Sequence, residues 1–245
     1  MMKRMMIAGV AALALAACNS GANNSTAAAS GPVAAVAPPA GTEWASVVSE
    51  TPEGGMLMGN PNAPIKLLEY GSLTCPGCAA FSMESSEPLK AKYIATGKVS
   101  LEYRSLLLHA PDVMASLTLK CGGPAPFFTL MEGSYATMQT WLGKLSSLPP
   151  AEAQRLQGLP VAAQNTEYAR ISGLDQFAIQ RGVSADALAG CLADTKKADA
   201  LLKIRDEAFT KYNVSGTPTF FINGEMVPNV SSWKNLEPEL RAAGA

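Results

Sequence analysis

Short apolar runs lie near both ends of the folded part of the chain, and helical spacing fills the part between them. Residues 65–70 are mostly apolar and are bounded by Pro64 and Gly71, which predicts a central strand. Residues 99–104 alternate apolar and polar side chains and predict a second strand. A helix-like run from 76 to about 95 separates them, so the pattern predicts a strand–helix–strand unit with a right-handed parallel crossover.

The next hundred or so residues carry almost no strand signal. Helices are predicted over 111–120, 125–141, 149–156, 166–180, 185–192 and 195–212. In the last of these, Ala198, Leu201, Leu202, Ile204 and Phe209 are spaced to face a core. Strands at 219–222 and 225–227 flank Asn223-Gly224, a hairpin signal, and a final helix is expected from about 232 to 242.

The N-terminus is typical of an exported protein. Lys3 and Arg4 precede an apolar run over residues 5–15, which has signal-peptide length and is too short to span a bilayer. Residues 15–18, Leu-Ala-Ala-Cys, resemble a bacterial lipoprotein cleavage box. This resemblance implies a signal peptide over 1–17, lipidation of Cys18 and a periplasmic protein anchored to a lipid membrane. An ordinary secreted protein with an incidental cysteine is the alternative.

Two further expectations follow for this region. Residue 19 is Asn and not Asp, which favours the outer membrane over the inner one. Residues 18–42 lack charged and aromatic side chains, so they cannot offset their ordering entropy and are expected to form a disordered tether. The folded domain is then expected over 43–245, which is enough chain for one sizeable core.

The net charge and the residue composition limit which partners and metals are expected. The formal net charge is −1 and no basic stripe is present, which argues against a nucleic-acid partner. The only histidine, His109, precedes a helix start and is read as a helix-entry residue. Scattered methionines are read as core residues and not as copper ligands.

The candidate chemistry is concentrated at Cys75-Pro76-Gly77-Cys78, which follows the first strand and opens a helix. At a helix N-terminus the unpaired N–H groups and the positive end of the dipole favour a thiolate at Cys75. A thiolate attacks disulfides, and a second thiol three residues later can reach the same sulfur. Zinc sites also use this spacing, so metal binding is an alternative. Far downstream, Pro218 leads into an apolar strand and is a candidate cis-proline.

These elements resemble the DsbA-like proteins of the thioredoxin superfamily. The matching stretches are residues 59–65, 69–78 and 216–219, and the resemblance covers about 45–245. It implies an α/β thioredoxin-like fold with a mixed central sheet and an inserted all-helical block at about 111–213. It also implies that Cys75 is the nucleophile, that Cys78 resolves the mixed disulfide, and that Pro218 lies against the pair.

Supporting roles are also implied by the resemblance. Thr217 would pair its backbone with an extended substrate and tune the thiolate, and Pro76 fits the first helical turn. Glu69 would lie buried beneath Cys78 and relay its proton, with a plain strand-edge glutamate as the alternative. Gly77 departs from the histidine that thiol oxidases of this kind often carry, so we expect a higher Cys75 pKa and an intermediate reduction potential.

Of the five cysteines, Cys121 and Cys191 have no role in the motifs described above. In an oxidising periplasm two leftover cysteines usually pair, and some DsbA-like proteins carry a similar second disulfide. A structural Cys121–Cys191 disulfide is therefore expected. Two separate buried thiols, or a role in electron transfer with Cys75 and Cys78, are the alternatives. No metal site is expected, because neither residue has neighbouring ligands at metal spacing.

The functional expectation is a thiol–disulfide oxidoreductase that introduces or exchanges disulfides in unfolded or thiol-containing envelope proteins. Such a protein needs no cofactor, but a DsbB-like or equivalent membrane partner must restore its redox state. Two alternatives stay open: a disulfide isomerase or reductase, and a non-catalytic thioredoxin-like module that binds metal or a partner.

Overall fold

The computed structural model describes residues 33–245. The expected signal peptide and the expected lipidation site, Cys18, lie outside these residues, as does most of the expected tether. Among residues 33–245, no helix is both long and apolar enough to cross a membrane.

In the part of the chain that the structure describes, residues 33–245, six strands form one mixed sheet. In chain order they are β1 Val48–Glu50, β2 Met56–Gly59, β3 Ile65–Gly71, β4 Val99–Ser105, β5 Thr219–Ile222 and β6 Glu225–Val227. Their spatial order is β1-β2-β4-β3-β5-β6, with β3 and β4 parallel and every other pair antiparallel. The mixed sheet and its covering helices confirm the thioredoxin-like fold class.

The two parallel strands, β3 and β4, are in register along their whole length. Ile65 pairs with Val99 at one end, and Gly71 pairs with Ser105 at the other. Because both strands run in the same direction, the segment that follows β3 lies beside the segment that follows β4. This register brings the CxxC loop next to residues 106–112.

The crossover helix α1, Pro76–Pro88, continues through a π-helical turn, Leu89–Tyr93, and a 3-10 turn, Ile94–Thr96. The widened turn directly follows Pro88, whose missing N–H interrupts the regular ladder. Gly97, at φ +71°, ends the run in the left-handed region. The helix therefore ends where the sequence predicts.

Eight helices make up the inserted block. They are α2 Ala110–Lys120, α3 Phe127–Ala136, α4 Met138–Ser146, α5 Pro150–Gln157, α6 Val161–Ser172, α7 Leu174–Ile179, α8 Ala185–Ala193 and α9 Thr195–Thr210. The C-terminal helix α10, Trp233–Ala242, follows the hairpin. The block extends from Ala110 to Thr210.

Two of the predicted helices are each divided in the structure. The predicted helix over 125–141 breaks at Thr137, whose backbone is not helical, with φ −109° and ψ 11°. The predicted helix over 166–180 starts earlier, at Val161, and breaks at Gly173, which has φ +82°. Both breaks come from local backbone chemistry and not from the apolar spacing.

The prediction that Phe209 faces the core is wrong. Ala198, Leu201, Ile204 and Ala208 form the buried stripe of α9, whereas Phe209 is 40% exposed. The stripe advances by three or four residues per turn, and Phe209 follows its last member by one position. The residue therefore lies beside the core face.

The described residues just before the expected domain boundary at 43 also contact the domain. The Val33 N–H donates to the Gly244 carbonyl oxygen (3.0 Å), and the Val36 N–H donates to that of Thr96 (2.9 Å). The buried Trp44 indole N–H donates to the Val36 carbonyl oxygen (2.7 Å). These hydrogen bonds join Val33 and Val36, in the described end of the expected tether, to the domain.

Candidate active site

Cys75 caps the N-terminus of α1, and Pro76 is the first helical residue. Proline is suited to this place because the first helical N–H has no partner within the helix. Cys75 is partly exposed, whereas Cys78, one turn into the helix, is fully buried. The structure shows both as free thiols, so it represents the reduced pair.

Hydrogen bonds lower the pKa of Cys75 to about 5, from an ordinary value of 9. The largest cause is the Cys78 side chain, and the Thr217 side chain and the backbone N–H groups of Gly77 and Cys78 add to it against the cost of burial. All these donors favour the thiolate. Cys75 is therefore ionised at neutral pH.

Cys78 is perturbed in the opposite direction. Burial raises its pKa far above the ordinary value, and the sulfur of Cys75 and the charge of Glu69 raise it further. The two thiols of one motif are thus separated in role, because one is an exposed nucleophile and the other a buried, protonated partner.

The cis-proline prediction is confirmed, since the Thr217–Pro218 peptide bond is cis. Cys75 Sγ lies 3.4 Å from the Thr217 carbonyl oxygen, to which it donates only when it is protonated. The Thr217 hydroxyl is buried and has no hydrogen-bond partner among the described residues, so it is free to donate to the Cys75 thiolate, whose pKa it helps to lower. Residues more than 140 positions apart in sequence therefore meet at one sulfur.

Gly77 leaves space beside the nucleophile. A Cβ atom placed there would lie 3.4 Å from Pro218 Cδ and 3.6 Å from Cys75 Sγ, which are ordinary contact distances. Any side chain at position 77 would thus touch both catalytic elements. The glycine itself supplies no donor or charge to the thiolate.

Glu69 is buried in the central strand β3, where it is 3% exposed and pairs with Phe220 and Tyr103 of the neighbouring strands. Burial raises its pKa to about 8, and the charge of Cys75 contributes further. Glu69 is thus buried, as expected, and its charge interacts with those of Cys75 and Cys78. At neutral pH this group is mostly protonated.

Sequence reasoning missed a buried carboxylate that holds the loop before Cys75. Asp112 of α2 is 1% exposed and accepts from the hydroxyl groups of Ser72 and Thr74 and from the Thr74 N–H. It also accepts from the N–H groups of Leu108 and His109. The spacing of His109 and Asp112, a cap residue and the third helical position, was the available signal.

His109 is the N-cap of α2, as the helix-entry interpretation predicts. Its Nδ1 atom lies 2.9 Å from the Thr74 hydroxyl oxygen, and its side chain is 65% exposed. The histidine therefore lies at the surface beside the residue that precedes the nucleophile.

Cys121 and Cys191 form a disulfide between the end of α2 and α8, with their Cα atoms 5.7 Å apart. It lies in the inserted block. Within residues 33–245 no group of three or more His, Cys, Asp or Glu side chains is placed to hold a metal ion.

Comparisons with known proteins agree with this geometry. A family model described as thioredoxin matches residues 51–241. A protein-disulfide isomerase from Novosphingobium aromaticivorans is 33% identical, with a TM-score of 0.71 over 76% of this chain and 95% of that chain. The chain therefore belongs to the thioredoxin family, and the likeness to DsbA-like proteins is confirmed.

Two other proteins are also similar to this chain. Wolbachia pipientis alpha-DsbA1 shares the fold, with a TM-score of 0.63, 22% identity and coverage of 80% of this chain and 93% of that one. A protein of Rickettsia bellii, named as a candidate protein-disulfide oxidoreductase, is 27% identical over 73% of this chain and 61% of its own length. The chain thus spans about three fifths of the length of such curated relatives.

Proposed function

We propose that this protein is a thiol–disulfide oxidoreductase of the bacterial periplasm, which introduces or exchanges disulfides in envelope proteins through Cys75 and Cys78. The observation that carries the proposal is the opposed perturbation of the two thiols. The pKa of the exposed Cys75 is lowered to about 5, while burial keeps Cys78 protonated. A metal-binding module would instead require both sulfurs as thiolate ligands.

The reaction starts from the oxidised pair. A substrate thiolate attacks Cys75 Sγ, which is the accessible sulfur, and the Cys75–Cys78 bond breaks with Cys78 as the leaving group. The Thr217 backbone lies beside this sulfur and can pair with an extended substrate. A second substrate thiolate then attacks the substrate sulfur of the mixed disulfide, so that Cys75 leaves as its stabilised thiolate and the substrate is oxidised.

Glu69 donates a proton to Cys78 and accepts one from it. Cys78 takes up a proton when it leaves, and must lose one when it attacks the mixed disulfide in the opposite direction. Part of the raised pKa of Glu69 comes from the Cys75 charge, which is absent while Cys75 is bonded to substrate. The pKa of Glu69 is therefore lower in the mixed disulfide than in the reduced protein, so that a larger fraction of Glu69 is ionised at neutral pH and can accept the Cys78 proton.

The direction of electron flow follows from the Cys75 thiolate. A protein that stabilises its reduced thiolate is the stronger oxidant. The Cys75 pKa of about 5 lies between roughly 3.5 for DsbA and roughly 7 for thioredoxin. This comparison supports a disulfide donor of intermediate strength, in line with the loss of histidine at position 77.

The partners and the location belong to the same proposal. Unfolded or thiol-containing envelope proteins are the substrates, and a membrane-bound DsbB-like or equivalent protein restores the disulfide. Lipid attached at Cys18 anchors the protein, with the outer membrane favoured. The lipoprotein box and Asn19 support these assignments.

Refolding of reduced, unfolded hirudin tests the activity. The oxidised protein should accelerate disulfide formation, and Cys75→Ser should abolish the acceleration because the nucleophilic sulfur is lost. A Cys75→Ser variant that keeps its activity would refute the proposed role of this residue.

Isomerase activity is the second candidate, since the Novosphingobium relative is named as a protein-disulfide isomerase. Refolding of scrambled ribonuclease by the reduced protein distinguishes the two. A donor should oxidise reduced substrate quickly and rearrange scrambled substrate slowly, and an isomerase should show the reverse.

A further inference from the structure

We infer that a preformed pocket beside Cys75, on the flank away from Pro218, binds an apolar side chain of the substrate polypeptide close to its cysteine. This inference rests on the proposed function. The cavity, here called the block pocket, has a volume of about 380 Å³. It is lined by Thr74, by His109 and Pro111 at the start of α2, and by Leu142, Leu145 and Tyr168 of the inserted block.

The sheet topology fixes the position of the block pocket. Strand β3, which leads to Cys75, lies between β5 and β4. Pro218 directly precedes β5 and His109 follows β4, so the cis-proline and the block pocket lie on opposite flanks of the nucleophile. A substrate bonded to Cys75 can therefore contact both.

The distance from the nucleophile suits a neighbouring substrate residue. Thr74 lines the pocket and is the residue directly before Cys75. An extended chain advances about 3.3–3.6 Å per residue. A side chain one to three residues from the substrate cysteine thus reaches the pocket without any change in the fold.

The residues that line the block pocket favour an apolar substrate side chain. None of the described residues that line the block pocket carries a carboxylate, ammonium or guanidinium group. By contrast, a cavity of about 440 Å³ beside α9 is lined by three lysines and three glutamates. Leu108, next to His109 in the sequence, is 39% exposed. Burying an aromatic or aliphatic side chain here removes apolar area from water on both sides.

The pocket wall next to the nucleophile is rigid. The buried carboxylate of Asp112 accepts from both the N–H and the hydroxyl of Thr74. The Thr74 hydroxyl also lies 2.9 Å from His109 Nδ1. A wall fixed before binding costs little ordering entropy when the substrate docks. Unfolded chains expose apolar side chains near their cysteines and folded proteins bury them, so the pocket favours unfolded substrates.

The test compares short peptides that contain a single cysteine and differ only in carrying Phe or Ser two positions from it. The rate at which each peptide thiol reduces the oxidised full-length protein is measured, and is divided by the rate with glutathione for the same variant. We expect the Phe peptide to react about tenfold faster than the Ser peptide with the parent protein.

Two substitutions probe the pocket and one serves as a control. Ala153→Trp fills the pocket from α5, and Ser146→Glu puts a carboxylate on its exposed rim; each should reduce the preference to less than about twofold. Ser147→Trp, at an exposed neighbouring position that does not line the pocket, should keep it.

The outcomes separate the two proposals. Equal rates for the Phe and Ser peptides with the parent protein, or a preference that survives both Ala153→Trp and Ser146→Glu, would overturn the pocket. If glutathione itself fails to reduce the Cys75–Cys78 pair in the parent protein, the proposed function fails and the pocket assignment fails with it.

Discussion

Cys75 owes its low pKa to hydrogen-bond donors and not to a basic side chain. The causes are Cys78, Thr217 and two backbone N–H groups of α1. Because the backbone supplies part of this stabilisation, it depends on the helix start and survives the absence of histidine at position 77. The thiolate is thus a property of the local fold as well as of the motif.

Gly77→His should make the pair more oxidising. An imidazole at this position would contact Cys75 Sγ, because the Cβ site is 3.6 Å from it, and its positive form would stabilise the thiolate. We expect the Cys75 pKa, read from thiolate absorbance, to fall by about one unit and the equilibrium with glutathione to shift about tenfold, or roughly 30 mV. Gly77→Ala is the control for bulk. Equal potentials for the two variants would contradict this explanation.

Glu69→Gln should remove a pH-dependent loss of stability. The pKa of Glu69 is about 8 in the folded protein against an ordinary 4.5, so between these values the fold keeps a proton that the unfolded chain has lost. The free energy of unfolding therefore falls as pH rises through this window. In the oxidised protein the Cys75 charge is absent and burial, the larger cause, still raises this pKa, so the variant should be more stable than the parent by about 1 kcal/mol or more at pH 8 and similar to it at pH 4.5.

Urea unfolding of both proteins across this pH range checks the prediction. A constant difference between parent and variant would show that Glu69 titrates normally in the folded protein.

Motif residues could be predicted from the sequence, because each follows from a short pattern. The CxxC pair and Pro218 are marked by their own neighbours, and Glu69 lies in the predicted strand before the motif. Asp112 could not be assigned its role in the same way. Its five donors come from two separate segments, and only the tertiary register of β3 and β4 brings those segments together.

At the scale of elements, the Asp112 network joins the CxxC loop to the start of α2. Asp112→Ala should leave several buried donors without a partner and lower the free energy of unfolding by about 3 kcal/mol or more. Asp199→Ala, at an exposed position of α9, should change it by less than about 0.5 kcal/mol. Denaturant unfolding of the oxidised variants measures both. Similar small effects for the two would show that the network does not anchor the loop.

The Cys121–Cys191 disulfide closes a long loop across the inserted block. The two residues are separated by 70 positions, so in the chain-entropy model replacing both with alanine should cost roughly 4 kcal/mol. The prediction is checked by denaturant unfolding of the double variant. A loss below about 1 kcal/mol would mean that the unfolded chain gains little freedom when the bond is removed.

Helix existence was easier to predict than helix limits. The apolar spacing gave α2, α8 and α9 closely, because each is a single amphipathic element. It merged α3 with α4, and α6 with α7, because Thr137 and Gly173 interrupt the backbone without interrupting the apolar pattern. A period of 3.6 residues reports which face is buried, and it does not report where the hydrogen-bond ladder stops.

At the scale of the whole molecule, the first described residues and the active site lie at opposite ends of the central strands. Val36 contacts Thr96, just before β4 begins, whereas Cys75 follows the end of β3. The seven residues of β3 separate these ends by about 23 Å. If lipid at Cys18 anchors the chain, as proposed, the domain is attached at the end away from Cys75. The nucleophile then faces the envelope proteins it would oxidise.

We propose that the protein stabilises its reduced form and therefore donates disulfides. The reduction potential of the Cys75–Cys78 pair, determined by equilibration with glutathione, tests this proposal. We expect a value between about −120 and −180 mV. A value at or below about −230 mV would mean that the protein is a reductant or an isomerase, and would contradict the proposed direction of electron flow.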